Sequence, residues 1–271
     1  MRKICFFDVD GTIMDLEGGL TQENIEAIRA LRKQGHKVFI CTGRAYPSIF
    51  AQVLEIGWDG VICSAGGYVF VGDELIFENS IPSELVHKFT DLFLERNILV
   101  GLEAKDKYYD TEGFLDFYEK QYHKQKDDRS RRGRKHVSEY DGSESIAKIN
   151  FISYDKEALF EVLKEAEQYF KIVFYNDLSG DVFNGELIPH ECTKAEGVRQ
   201  VVSYLHADMK DTVAFGDSMN DYEMLQITEH SYVSVLAPQC LKDIAQGEFD
   251  VPENSGISKL LQQLSLFNFV K

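Results

Sequence analysis

Hydrophobic and polar positions along this chain follow two different rhythms. Through the first eighty residues, short apolar runs rich in Phe, Ile and Val alternate with amphipathic stretches. Ile4-Cys5-Phe6-Phe7, Lys37-Val38-Phe39-Ile40-Cys41 and Gly60-Val61-Ile62-Cys63 are too short for helices and read as strands buried on both faces. Between the first two, Thr21 serves as an N-cap for a helix to about residue 34. Ile25, Ile28 and Leu31 share one face of it, and Gly35 stands just past its end. A helix is predicted over 46–56, a hairpin flap over 13–20, and a second hairpin over 68–77 turning through Gly72-Asp73. Strands alternating with helices predict a parallel sheet with right-handed crossovers.

From Pro82 the rhythm changes. Helices are predicted over 83–96, 113–126 and 156–170, with short strands over 98–103, 107–110, 148–153, 171–175 and 181–187. This is an α+β pattern with antiparallel elements, and it reads as a second domain inserted over 82–186. The parallel pattern then resumes with a helix over 193–205, the strand Thr212-Val213-Ala214-Phe215, a helix over 222–227, a strand over 232–236 and a helix over 256–266. The fold class is therefore α/β, with a parallel-sheet core built from 1–81 and 187–271.

Composition narrows the function classes. At 271 residues, 44% hydrophobic and 27% charged, the chain can bury a core of ordinary size. A net charge of −16 argues against a general nucleic-acid binder, which needs a basic face. No apolar stretch approaches the ~20 residues of a membrane helix. Five cysteines, odd in number and without CxxC spacing, fit reduced thiols, and with no secretory signal visible the cytoplasm is the expected compartment. Oligomeric state is not legible.

The chemistry gathers at strand tips. Asp8 and Asp10 follow the first strand, with Gly11 allowing the turn; Thr42 and Gly43 follow the second; Asp217 follows Phe215-Gly216. Ligands bind at the carboxyl ends of such strands. Acids at the mouth of a buried strand are costly unless a cation or a proton relay uses them. The plain alternative is a strand-ending turn with solvated acids; an EF-hand loop fits worse, since its glycine belongs at position six. Asp8, Asp217 and a backbone carbonyl are hard oxygen ligands suited to magnesium. Asp8 is the candidate nucleophile on phosphorus, Asp10 the acid and base, and Thr42 and Lys194 the groups that hold phosphate. Asn220 is a candidate donor, and Asp221 a partner for Lys194.

Asp8-Val9-Asp10-Gly11-Thr12, Thr42-Gly43-Arg44, Lys194 and Gly216-Asp217-Ser218-Met219-Asn220-Asp221 resemble, in order, the four motifs of the haloacid dehalogenase-like phosphatases. An insertion between the second and third motifs resembles the type IIB cap of the Cof-type sugar phosphatases, and the likeness then covers nearly the whole chain. It implies a Rossmann-like core with a specificity-setting cap, and hydrolysis of small phosphorylated metabolites, sugar phosphates in particular, through an aspartyl-phosphate. It also implies Mg²⁺ held by Asp8, Asp10 (through its carbonyl) and Asp217, substrate phosphate bound by Thr42 and Lys194, and support from Asn220 and Asp221; Gly43 beside Thr42, and Asn220 as a donor, count with the substrate-binding residues. Three stretches depart from the family pattern: Ser64-Ala65-Gly66-Gly67 for the frequent Asn-Gly-Ala, Thr193-Lys194-Ala195 for Ser-Lys-Gly, and Leu236-Ala237-Pro238-Gln239 for Met-Gly-Asn-Ala. The changes leave the reacting groups in place, Lys194 included, so they bear on substrate choice.

Two other functions fit the same motifs: a phosphomutase of sugar phosphates, and a non-catalytic phosphate-binding regulator. The basic run 129–135 reads as a mobile solvated loop, His123 and His190 as ordinary histidines without ligand spacing, and Cys41 as an inert buried thiol. The aromatics Tyr108, Tyr109, Phe114, Phe117 and Tyr118 read as cap core, one or two of them available to line a pocket.

Overall fold

The structure, a computed structural model, describes residues 2–122 and 133–264. Its elements run β1 (Ile4–Phe7), α1 (Gln22–Lys33), β2 (Lys37–Cys41), α2 (Ala51–Leu54), β3 (Gly60–Cys63), β4 (Tyr68–Val71) and β5 (Glu74–Glu78). Then come α3 (Ser83–Leu94), β6 (Leu99–Ala104), β7 (Tyr108–Asp110), α4 (Phe114–Tyr122), β8 (Arg134–His136), β9 (Ile146–Ser153), α5 (Lys156–Ala166), β10 (Phe170–Phe174) and β11 (Phe183–Pro189). The chain continues through α6 (Lys194–Tyr204), β12 (Thr212–Gly216), α7 (Tyr222–Ile227), β13 (His230–Ser234), α8 (Gln239–Lys242), β14 (Gly247–Phe249) and α9 (Gly256–Gln263).

Two compact units result. The first is Met1–Arg44, Ile49–Phe77 and Thr193–Lys271; the second is Ala45–Ser48 and Glu78–Cys192. The second unit is wider than the 82–186 read from the sequence, because β11 runs on to Pro189. The short segment 45–48 groups with it, Ser48 Oγ hydrogen-bonding the Tyr108 hydroxyl.

The first unit holds an eight-stranded sheet of order β14-β13-β12-β1-β2-β3-β4-β5. Strands β14 through β3 are parallel, and β4 pairs antiparallel to β3. Phe7 stands in register with Phe215 on one side and Ile40 on the other. That register brings the ends of β12, β1 and β2 level, so Asp217, Asp8 and Thr42 emerge side by side. Val198 and Val201 of α6 and Met224 and Leu225 of α7 pack on Phe6, Phe39, Ile62 and Ala214. Phe7 stacks on Phe215, ring centroids 4.6 Å apart.

The second unit holds a six-stranded sheet of order β10-β11-β9-β6-β7-β8, antiparallel except for β7 and β8. One face is apolar: Val100, Leu102, Ile149, Phe151 and Leu187 meet Val86, Phe89 and Phe93 of α3 and Leu159, Val162 and Leu163 of α5. Strand alternation sends the intervening residues, Lys148 and Asn150 among them, to the opposite face.

Several local expectations are corrected. Residues 13–20 form turns rather than a hairpin, with one isolated bridge between Asp10 and Met14. The helix over 46–56 is a 3₁₀ turn, Tyr46–Ser48, followed by the short α2; Phe50 between them is extended, at φ −58° and ψ 140°, which breaks the helical path. Thr21 stands at the N-cap, but its hydroxyl donates to the Pro252 carbonyl at 3.5 Å instead of capping α1. Strand β13 ends at Ser234, leaving Leu236 78% exposed. Of the basic run, residues 129–132 lie outside the described residues. Arg134 and Lys135 form part of β8, Arg134 ion-paired with Asp110 and 4.1 Å above the Tyr108 ring, so that part is no mobile loop. Tyr108, Tyr109 and Phe114 are buried, as core packing predicts.

Candidate active site

Asp8 leaves β1 with its backbone N–H still donating to the Phe215 carbonyl at 3.0 Å, so its side chain starts from the edge of a rigid sheet. The residue is only 4% exposed. Lys194 opens α6, whose N-cap is Thr193, the hydroxyl accepting from Glu196 N at 3.1 Å. Gly66, at φ +101°, lies so close to the Thr193 carbonyl that a Cβ would stand 2.1 Å from it. The turn through Ser64 and Gly67, one of the departures noted above, therefore packs against the residue that positions Lys194.

The ammonium of Lys194 donates to Asp8 Oδ1 and to Asp221 Oδ1, each at 2.6 Å. Asp221 Oδ2 accepts from the backbone N–H groups of Asp217 (3.0 Å) and Ser218 (3.1 Å). Asp221 is thus the clamp that shapes the 217–221 loop while balancing Lys194. This goes beyond the partnership with Lys194 expected from sequence; the Ser-x-x-Asp spacing of 218–221, a capping-box pattern, is the signal for its backbone contacts. Asp8, Asp217 and Asp221 each present a carboxylate oxygen within 4.8 Å of the others, the one metal-capable group of its kind among the described residues. Asp10 is not in that group.

The Asp10 carboxylate is turned to Arg44, which donates from Nε to Oδ2 and from Nη2 to Oδ1, both at 2.6 Å. This fork-on-fork pairing fixes the carboxylate plane. Arg44 also lies 4.5 Å over the Phe50 ring, and its backbone N–H donates to Thr42 Oγ1 at 3.2 Å. Nothing local in the sequence marks Arg44, three residues past β2, as the partner of Asp10, 34 residues before it. Thr12 Oγ1 lies 3.5 Å from Asp217 Oδ1 and is likewise an addition. Asn220 Oδ1 accepts from Ser218 Oγ at 3.1 Å, and its Nδ2 lies 3.3 Å from where a Gly43 Cβ would be, so Gly43 and Asn220 are neighbours. Gly11 has φ +79°, and a Cβ there would stand 2.4 Å from Asp217 Oδ2; only glycine fits. His190 is exposed, His123 lies outside the described residues, and Cys41 is buried with its thiol pushed up by that burial.

Charge balance is the distinguishing feature. Burial, then the charges of Asp221, Asp217 and Asp10, hold the Asp8 carboxyl well above the usual carboxylate range against the pull of Lys194. Burial and Asp221 push Asp217 up to about 6. Lys194 goes the other way: burial favours losing its proton, but Asp221 and Asp8 outweigh this and keep it charged. One ammonium stands among three carboxylates. Such a site favours a proton or a cation.

The chain matches the haloacid dehalogenase-like hydrolase family over residues 5–261. It belongs to that family. The motif resemblance is borne out over nearly the full length of this hydrolase. It is 28% identical to YkrA of Bacillus subtilis, provisionally named a phosphatase, over 97% of this chain and 98% of that one. A solved Geobacillus kaustophilus structure, described only as a hypothetical protein, superposes with a TM-score of 0.86 at 26% identity, covering 98% of this chain and 100% of that one. The haloacid dehalogenase subclass IIB sugar phosphatase BT4131 shares the fold, with a TM-score of 0.77 at 23% identity and coverage of 98% and 100%. No helix among the described residues of this hydrolase is long and apolar enough to cross a membrane.

Proposed function

We propose that this hydrolase is a Mg²⁺-dependent phosphatase of small phosphorylated metabolites, sugar phosphates in particular, working in the cytoplasm through an aspartyl-phosphate. The observation that carries the reading is the buried excess of carboxylate over ammonium around Asp8. The donors are all hard oxygens, which suits Mg²⁺ over softer metals. Asp8 and Asp217 supply carboxylate ligands and Asp10 its carbonyl. Asp221 stays with Lys194 and the loop N–H groups, which already occupy both its oxygens. When bound, Mg²⁺ screens the phosphoryl charge so that an anionic nucleophile can approach it.

The chain's own residues account for the rest. Asp8 attacks phosphorus with the oxygen that Lys194 leaves unbonded. The P–O bond to the alcohol breaks, and the departing oxygen takes a proton from Asp10. Water then gives a proton to Asp10 as it attacks the same phosphorus, releasing phosphate and restoring the Asp8 carboxylate. Lys194, Thr42, the Gly43 backbone and Asn220 hold phosphoryl oxygens. Arg44 orients Asp10, which carries a proton only after giving up one of its two bonds to the guanidinium. Residues 82–186, read as a cap, set which alcohol is accepted.

The test is phosphate release from p-nitrophenyl phosphate and a panel of sugar phosphates, with and without Mg²⁺. Release that requires the ion supports the reading. Isomerisation of a sugar 1-phosphate to the 6-phosphate without release would replace it by a mutase, and a folded protein inert on every substrate would replace it by a binding role.

A pH prediction follows from Asp217. Its folded-state pKa, about 6, is above the ~3.9 of an unfolded aspartate, so the folded chain holds a proton that the unfolded chain gives up. Stability from this group is present at low pH and is lost as pH rises between those values. Without divalent ions, thermal unfolding of the wild type should therefore shift downward relative to Asp217→Asn as pH is raised across that window. Mg²⁺ should raise the wild-type melting temperature more above the window than below it, because the proton no longer competes.

A further inference from the structure

Four of the five cysteines, Cys5, Cys41, Cys63 and Cys192, are buried, and Cys240 is exposed. Its thiol does not stand by itself. Cys240 Sγ donates to Met219 Sδ at 3.4 Å, and Met219 is 53% exposed, so a thiol and a thioether meet side by side at the surface. Both belong to the first unit. The sheet brings them together: β12 and β13 run parallel, Met219 follows β12, and Cys240 lies on α8, which follows β13. Met219 opens the turn Met219–Asp221, which the Asp221 carboxylate ties down through the N–H groups of Asp217 and Ser218. Cys240 is held by α8, anchored by the fully buried Leu241. Lys242, the nearest cation in sequence, is engaged elsewhere. Its ammonium donates to the Val235 carbonyl at 2.6 Å and pairs with Glu248 at 3.0 Å.

As a hydrogen bond the contact is weak, since a thiol is a poor donor and a thioether a poor acceptor. As a pair of ligands the two atoms are well matched. A metal–thiolate bond is about 2.3 Å long. Two bonds of that length to atoms 3.4 Å apart enclose an angle of roughly 95°. A cation therefore seats between the two sulfurs once the thiol gives up its proton, with neither side chain displaced. Thiolate and thioether are soft donors. Zn²⁺ draws its four ligands from thiolates, imidazoles and carboxylates, so the thioether points instead to Cu(I). Met219 lies two residues past Asp217. One loop thus serves a set of hard oxygens on one side and a pair of soft sulfurs on the other, and the two select different cations.

We propose that Cys240 and Met219 form a binding site for a soft monovalent cation of the Cu(I) class, with the thiolate and the thioether as its protein ligands. Binding forms two Cu–S bonds and releases the thiol proton to solvent; no electron is transferred. The test titrates the folded protein with Cu(I), kept reduced by ascorbate under nitrogen, against bicinchoninate as a competing chelator whose colour reports the ion it holds. No turnover is needed, so the outcome is independent of the phosphatase reading. The wild type should retain one Cu(I) per chain, and excess Mg²⁺ should not release it. Cys240→Ser should weaken retention at least about a hundredfold and Met219→Leu about tenfold, each with the melting temperature of the wild type because both side chains are exposed. A wild type that retains no ion overturns the proposal. So does a Cys240→Ser variant that retains as much as the wild type, which places the ion elsewhere. A Met219→Leu variant that binds as tightly as the wild type overturns it too, because the thiol then acts without the thioether.

Discussion

Asp8→Asn is expected to lower phosphate release by at least about three orders of magnitude while leaving the fold intact. An amide oxygen at this strand tip neither attacks phosphorus nor carries the charge a cation needs. The fold should survive because the substitution keeps the side-chain shape, and Asn still offers Lys194 an oxygen where Oδ1 now lies 2.6 Å from the ammonium. It also removes one of three crowded negative charges, so the metal-free variant should melt no lower than the wild type. The checks are turnover at saturating Mg²⁺ and the thermal shift produced by Mg²⁺, which should shrink. Retained turnover would mean that another group attacks phosphorus.

Lys194→Met carries the largest expected cost in stability. Lys194 is 1% exposed, and its ammonium neutralises Asp8 and Asp221, both themselves buried. Methionine fills much of the space but leaves the carboxylates with no cation of their own. Breaking a buried pair from one side costs about 3–5 kcal/mol. For a chain of this size that lowers the melting temperature by on the order of 10 °C. Asp221 keeps its two backbone donors, so the loss should concentrate on Asp8, and added Mg²⁺ should recover part of the melting temperature without restoring turnover. Denaturant unfolding with and without the ion measures both. A melting temperature unchanged by the substitution would mean that the carboxylates are protonated in the folded state, and the charge argument would fail with it.

The polar and apolar patterning reached far in this chain. Parallel strands buried on both faces announce themselves as short apolar runs, and their tips are the only places where Asp8, Thr42 and Asp217 break such runs. The α+β insertion was legible as a change of rhythm, but its edges were not. Nothing local marks Pro189 as the end of β11, because strand length is set by the pairing with Phe170. The predicted 46–56 helix is broken at Phe50, whose extended backbone has no local mark in the sequence.

What the sequence by itself determined is the set of reacting groups and the sheet that carries them. Which group faces which was decided only by the tertiary structure. Asp10 meets Arg44, 34 residues on, and Lys194 lies between Asp8, 186 residues before it, and Asp221, 27 residues after. Such partners depend on strand order and register, which bring side chains together across distances no window along the chain can span. The sulfur pair is the same case: Met219 and Cys240, 21 residues apart, are unremarkable one by one and meet only when β12 and β13 pair in this register.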